Sequence, residues 1–268
     1  MEIEPVLSRI TIYPVKSLDG MALEKAMITD GGCLLHDREY AISDEAGNFI
    51  IGKTNPLVYS LRSRVDIENE TISLCRQYET SWNQFHLQKE RSDIQSYLAG
   101  YFGVRILLHQ NKRGRLLDIP DISGVTVLST ASLESISQWY DNINVDETRK
   151  RFRATIEIGG VPAFWEDHLF SSPGKGVEFK IGEVTMFGIS PRARCVVPTH
   201  HPKTGEVIHA FPKKFAKHRA ASLPGWSTLK EYGHHYHLTV NCWIPSTETG
   251  KWIKVGNKVV IIGEKVFD

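Results

Sequence analysis

Leu61-Arg62-Ser63-Arg64-Val65-Asp66-Ile67 and, three residues later, Thr71-Ile72-Ser73-Leu74 decide the class of fold. Apolar and polar side chains alternate in both, the period of a strand with one face on a core and the other toward solvent. The same alternation extends outward through Leu7 to Tyr13, through Ala41 and Ile42 before a turn at Gly47-Asn48, and through Phe49 to Ile51. The first hundred residues therefore read as a β-rich meander. From Ser92, Ile94, Leu98, Tyr101 and Phe102 recur at helical spacing, with Gly103 placed to stop the helix before a strand from Val104 to His109.

Asn111 to Ser123 has the composition of a connection, which divides the chain into units 1–115 and 116–268. The second unit opens with a strand, Val125 to Leu128. Ser129 or Thr130 then caps a helix whose apolar face is Leu133, Ile136, Trp139 and Tyr140. Strands are expected at Phe152 to Ile158, Val177 to Ile181, Glu183 to Ile189, His237 to Trp243 and Trp252 to Ile262, the last pair forming a hairpin that ends in a buried Val259 to Ile262 strand. The expected class is a β-rich α+β fold of two units with a few helices.

Composition sets the outer limits. The chain has 268 residues, 41% hydrophobic and 24% charged, enough for a sizeable core and too apolar for long disorder. Thirty-two Lys and Arg face 31 Asp and Glu, a net charge of +1, so no global field draws the protein to nucleic acid or to an anionic membrane. Any anion site has to be built locally. Glu2, Glu4, Arg9 and Lys16 interrupt the first twenty residues, and no long apolar run follows, so neither a signal peptide nor a spanning helix is expected and the cytoplasm is the default compartment.

Cys33, Cys75, Cys195 and Cys242 form no C-x-x-C pair, which argues against a structural zinc or iron–sulfur site in this chain. Cys195 alone has a reason to be reactive. In Pro191-Arg192-Ala193-Arg194-Cys195-Val196-Val197-Pro198-Thr199 two guanidinium groups flank the thiol, and fixed positive charge favours the thiolate, the form that attacks electrophiles and ligates soft metals. The simpler alternative is a packed cysteine beside surface arginines.

Basic and hydroxyl residues recur at strand ends: Lys16-Ser17, Arg38, Ser129-Thr130, Arg151 and Arg153. Each suits a phosphate, through an arginine fork or a helix N-terminus, and each also reads as a solvated charge or a cap. Histidines gather at His200-His201, His218 and His234-His235-Tyr236-His237. A zinc site with Cys242 fits poorly, because adjacent strand side chains face opposite ways, and a polar loop is the simpler reading. Glu166-Asp167-His168 offers acid–base groups or an exposed acidic loop.

Several of these segments match one family in order. Tyr13-Pro14-Val15-Lys16-Ser17, Asp37-Arg38-Glu39-Tyr40, Leu128-Ser129-Thr130-Ala131-Ser132-Leu133, Arg151-Phe152-Arg153-Ala154-Thr155-Ile156, Glu166-Asp167, Arg194-Cys195-Val196-Val197-Pro198-Thr199 and Lys254-Val255-Gly256-Asn257 occur along nearly the whole chain. In this series the chain resembles the MOSC-domain proteins that carry a MOSC N-terminal β-barrel domain, the family of the mitochondrial amidoxime-reducing component. Departures from the family pattern are Ala154-Thr155 in place of Pro-Asn, Arg192 where relatives often carry a cysteine, and His200-His201 where the amidoxime reducers have Val-Asp.

The resemblance implies an N-terminal β-barrel-like domain followed by a MOSC β-barrel domain. It also implies a molybdenum cofactor, a pterin dithiolene with a phosphate, whose metal takes a protein thiolate. Cys195 would be the metal ligand. Lys16, Ser17, Arg38, Ser129, Thr130, Arg153, Thr155 and Arg194 would hold the pterin and its phosphate, and a pyridoxal-phosphate-like anion would suit the same donors. The implied activity is reduction of N-hydroxylated or other N-oxygenated small molecules at the metal held by Cys195; a nearby acid has to supply protons, and Asp167, His200 and His201 are the candidates this sequence offers, with electrons from a separate flavin or iron–sulfur protein. A non-catalytic cofactor carrier, a sulfur-transfer protein using Cys195, and a thiol hydrolase are the alternatives.

Overall fold

A computed structural model describes residues 4–114, 116 and 124–266. Residues 115 and 117–123 of the expected connection, and with them the boundary at 115/116, lie outside the described residues. The first half contains β1 (Val6–Ile12), β2 (Met21–Leu23), β3 (Lys25–Met27), β4 (Tyr40–Ser43), β5 (Leu61–Asp66), β6 (Thr71–Arg76), β7 (Asn83–His86), α1 (Arg91–Phe102) and β8 (Leu107–Gln110). The second contains β9 (Val125–Ser129), α2 (Thr130–Ser137), α3 (Val145–Phe152), β10 (Ile156–Gly159), β11 (Lys175–Ile181), β12 (Val184–Ala193), α4 (Phe211–Ala221), β13 (His237–Trp243), β14 (Trp252–Lys254) and β15 (Val259–Val266). The class is the expected β-rich α+β. No helix among the described residues is long and apolar enough to cross a membrane.

The largest sheet has eight strands in the order β15-β11-β12-β13-β9-β10-β1-β2. The part of β1 that β2 leaves uncovered approaches the edge strand β15 where Val6 bridges Lys258, with Leu7 N–H donating to Asn257 O (2.8 Å) and Val259 N–H to Pro5 O (2.9 Å). β15 and β1 therefore meet through an isolated bridge, and the described sheet curls toward a barrel without closing as a continuous ladder. Within it β9 and β10 run parallel. Parallel neighbours need a crossover, and α2 and α3 supply it, so this connection carries Arg149, Arg151 and Arg153 to one end of the sheet.

Three apolar cores hold the elements together. One draws on Val15, Ile42, Leu61, Leu74, Leu98 and Leu108 of the first half. A second joins Leu7, Ile10, Ile12 and Ile28 to Val127, Ile156, Phe179, Val184 and Val240, so the earliest strand packs in the core of the large sheet. The third seats α2, α3 and α4 around Phe152, Phe211 and Phe215.

Some local expectations change. Residues 152–155 are not strand: α3 runs to Phe152, Arg153 caps it in the left-handed conformation (φ 54°), and β10 starts at Ile156. The helix is bounded at its start by Asn144, whose side chain accepts from Glu147 N–H. No hairpin joins the last strands: β13 pairs with β12 and β9, β14 with β3, and β15 with β11. β15 is an edge strand with Val259 buried and Val260, Ile261 and Ile262 exposed, where continuous burial was expected. Phe49 makes a single bridge to Ser43 in place of a strand, and α4 was not anticipated.

Candidate functional site

A cavity of about 860 Å³ opens between the two halves of the chain. Among the described residues thirteen Arg and Lys line it against three carboxylates, those of Asp19, Asp37 and Asp146. A chain that is nearly neutral overall places thirteen of its basic side chains around one concave surface, the kind of local concentration that an anion site would require. Lys16, Ser17, Arg38, Arg153, Thr155, Arg194, Cys195 and His200 all line this cavity. Ser129, Thr130, Asp167 and His201 do not.

Tyr13 organises one end. Its ring is buried, with the guanidinium carbons of Arg38 and Arg153 at 4.4 and 4.0 Å from its centroid. Burial raises the Tyr13 pKa, against the opposing pull of the two arginines. Arg153 donates to Leu18 O (2.7 Å), and desolvation pushes its pKa below the usual arginine range. Arg38 is held by Asp37, both carboxylate oxygens accepting from one guanidinium nitrogen at 2.7 and 2.6 Å. Gly20 is required beside this group because a Cβ there would lie 2.6 Å from the Tyr13 ring. Ser17, Arg38 and Arg153 have φ of 71°, 47° and 54°. Arg153 takes this conformation as the C-cap of α3, while at Ser17 and Arg38 it sets the loop backbone at the cavity wall.

Cys195 follows the end of β12. That strand lies inside the sheet, and Pro191 is accommodated because the pairing to β13 shifts register on both sides of it. The loop beyond is tied down by the Arg194 side chain and by two of its carbonyls. Arg194 donates to Phe152 O (2.8 Å), Arg151 to Pro198 O (2.9 Å) and Tyr236 OH to Cys195 O (3.3 Å), while His200 stacks on Tyr59 with centroids 4.8 Å apart. The thiol itself stays exposed, whereas Cys33, Cys75 and Cys242 are buried. Burial also pushes the Cys242 thiol pKa up, and among the described residues no three His, Cys, Asp or Glu side chains converge on a metal position, so the zinc arrangement has no site there.

Four sequence candidates serve elsewhere. Asp167 is buried and accepts from Arg219 and from Ser227 Oγ (2.7 Å). His201 accepts from Lys203 and Thr204 N–H and faces Glu147 across 3.8 Å. Ser129 caps α2, its Oγ accepting from Ser132 N–H (3.2 Å), and Thr130 hydroxyl lies against Ser8 Oγ (3.0 Å). Thr155 lines the cavity, but its hydroxyl is engaged with the Thr126 main chain, accepting at 2.8 Å and donating at 3.0 Å.

Glu166 is fully enclosed, accepting from Ser129 N–H (3.1 Å) and Ser132 Oγ (2.9 Å). Desolvation, reinforced by the Asp167 charge, pushes its pKa up to about 7. The folded state then keeps a proton that the unfolded chain releases near pH 4.5. Stability from this group is present at pH 4 and is lost as pH rises to about 7. Glu166→Gln is expected to remove a loss of roughly 3 kcal/mol across that interval. Urea unfolding of both proteins from pH 4 to pH 8 measures it, and a difference that stays constant with pH would contradict it.

Sequence reasoning missed Tyr13, Tyr59, Arg62, Arg64 and Trp82 as parts of the cavity. Tyr13 stood inside a quoted motif but reads as a core residue. The Arg62 and Arg64 alternation was visible, and only the packing of the halves shows that this face meets a cavity.

With this geometry in place, the class of protein is defined: the chain belongs to the MOSC-domain proteins, with residues 4–99 matching the MOSC N-terminal beta barrel domain and residues 123–260 the MOSC domain. Among named relatives, molybdenum cofactor sulfurase of Oryza sativa subsp. japonica is 37% identical over 308 residues, covering 94% of this chain and 35% of that protein. Mitochondrial amidoxime-reducing component 1 of Homo sapiens is 25% identical over 300 residues, covering 96% of this chain and 83% of that protein. The chain thus spans about a third of the length of the rice relative.

Proposed function

We propose that the protein is a molybdenum-cofactor oxidoreductase that reduces N-hydroxylated or other N-oxygenated small molecules. The observation that carries this reading is the exposed Cys195 thiol, fastened by its main chain inside a cavity rich in arginine and lysine. The donor set fits the group: a soft sulfur for the metal, and planar guanidiniums with a lysine and a hydroxyl for a phosphate and a pterin edge. Cys195 would hold the metal. Arg38, Arg153, Lys16, Ser17 and Arg194 would hold the phosphate and pterin. When bound, the cofactor supplies two-electron oxygen-atom chemistry.

This chain's part is to bind, orient and deliver protons. Reduction of an N–OH group consumes two electrons and two protons and releases water, so a proton source has to face the cavity. Of Asp167, His200 and His201, His200 alone lines it. His200 Nδ1 lies 3.1 Å from Val196 O, which leaves Nε2 as the ring atom available to hold a proton. Electrons come from a separate flavin or iron–sulfur protein, and the compartment that suits free thiols is the cytoplasm.

A second reading, cofactor delivery or sulfur transfer through Cys195, is supported by the name of the rice relative and by the exposure of the thiol. The purified protein decides between them. Stoichiometric molybdenum with turnover of benzamidoxime by reduced viologen supports the reductase. Cofactor that passes to an acceptor apoprotein, or sulfur released by cyanide without turnover, supports transfer.

A further inference from the structure

The cavity has a second pair of guanidiniums on an aromatic ring. Arg62 and Arg64 lie two residues apart on β5, so they share a face of the strand. Their guanidinium carbons sit 5.1 and 4.1 Å from the ring centroid of Trp82, just ahead of β7. All three line the same cavity as Cys195. Arg62 is aimed by its own bonds, donating to Cys75 Sγ and Glu79 O, both at 2.9 Å. Its buried Nε has no partner among the described residues. No described carboxylate lies within ion-pair distance of either arginine, and Asp19, the nearest acid in sequence on this wall, accepts from Ser63 N–H (2.9 Å). Two guanidiniums stacked on one indole, with no described carboxylate at ion-pair distance, suit an aromatic anion: their N–H groups take its acid, and the flat face of exposed Arg64 can stack on its ring.

We propose that Arg62, Arg64 and Trp82 form a substrate subsite, and that the protein acts on aromatic or heteroaromatic N-oxygenated compounds bearing a carboxylate or phosphate away from the N–O group. This rests on the reductase reading for the word substrate, while the anion subsite stands on the geometry alone.

Two measurements separate these parts. Calorimetric titration of the purified holoprotein with benzoate, phenyl phosphate and neutral benzamide tests the subsite directly. Arg64→Gln, at an exposed position, and Arg62→Gln are each expected to weaken the anions about tenfold and benzamide less than twofold, and the preferred anion identifies the acid. In turnover, the ratio of kcat/KM for 4-carboxybenzamidoxime over benzamidoxime is expected to fall about tenfold in the same variants. Molybdenum and pterin contents should match wild type. Unchanged anion affinity in Arg64→Gln overturns the subsite, and loss of molybdenum in that variant overturns it by assigning the pair to the cofactor. Arginine-dependent anion binding without any amidoxime turnover upholds the subsite and sinks the reductase reading.

Discussion

Cys195→Ser is expected to yield a folded protein whose molybdenum and pterin contents are at least roughly tenfold below wild type and whose amidoxime reduction is lost in proportion. A serine hydroxyl at neutral pH is a hard, protonated oxygen and a poor substitute for a thiolate on a sulfur-bound metal. The fold should not notice the change. Cys195 is exposed, its loop is fastened through main-chain oxygens and through neighbouring side chains, and Sγ fills no core, so unfolding free energy should move by less than about 0.5 kcal/mol. Metal and pterin analysis beside a urea titration separates the two effects. Full molybdenum content in the serine variant would remove Cys195 as the ligand.

Arg219→Met is expected to do the reverse, lowering the unfolding free energy by about 3–5 kcal/mol. Arg219 and Asp167 are 2% and 5% exposed, and the guanidinium also lies 4.0 Å from the Phe164 ring centroid. Removing the arginine leaves a carboxylate enclosed with only Ser227 Oγ to satisfy it. Converting both partners to apolar residues of similar size should recover much of the loss, because the penalty comes from the stranded charge. Urea unfolding of the single and double variants checks this. A selective fall in kcat at unchanged stability would return Asp167 to the chemistry.

Asp167 also shows what a sequence conceals. Glu-Asp-His beside a tryptophan looks like acid–base equipment, and nothing in its spacing reveals that Arg219, 52 residues later, arrives from α4 to neutralise it. That helix carries seven basic or aromatic side chains among its eleven residues, so its apolar stripe is hard to distinguish from a polar loop. The strands were easier. Leu61 to Ile67 and Thr71 to Leu74 alternate cleanly and became β5 and β6 with registers Leu61 to Arg76 and Asp66 to Thr71. Gly103 stops α1 because it can take φ 72°. The segment around Arg153 misled because Phe152-Arg153-Ala154-Thr155-Ile156 carries strand-like composition, while the Asn144 cap and the charged run after it mark a helix that ends there.

The candidate site was legible where chemistry is local. A cysteine between arginines and basic residues at strand ends can be picked out residue by residue, and eight of those positions share the cavity. Pairings made by folding were not legible. Tyr13 with Arg38 and Arg153, Tyr59 with His200, and Trp82 with Arg62 and Arg64 join residues that become neighbours only when distant segments pack.

The place of β1 has a consequence for biosynthesis. Val6–Ile12 pairs with the nearby β2 on one side, but its other ladder partner is β10, and Leu7 and Pro5 bond to Asn257 and Val259. During translation at about 5–20 residues per second, the β10 side of this apolar strand stays open for roughly ten seconds or more after β2 has been made. Contacts as distant in sequence as Leu7 to Asn257 also make the search slow, so the nascent chain is most exposed to mispairing and to chaperone capture in the interval before β10 and β15 emerge.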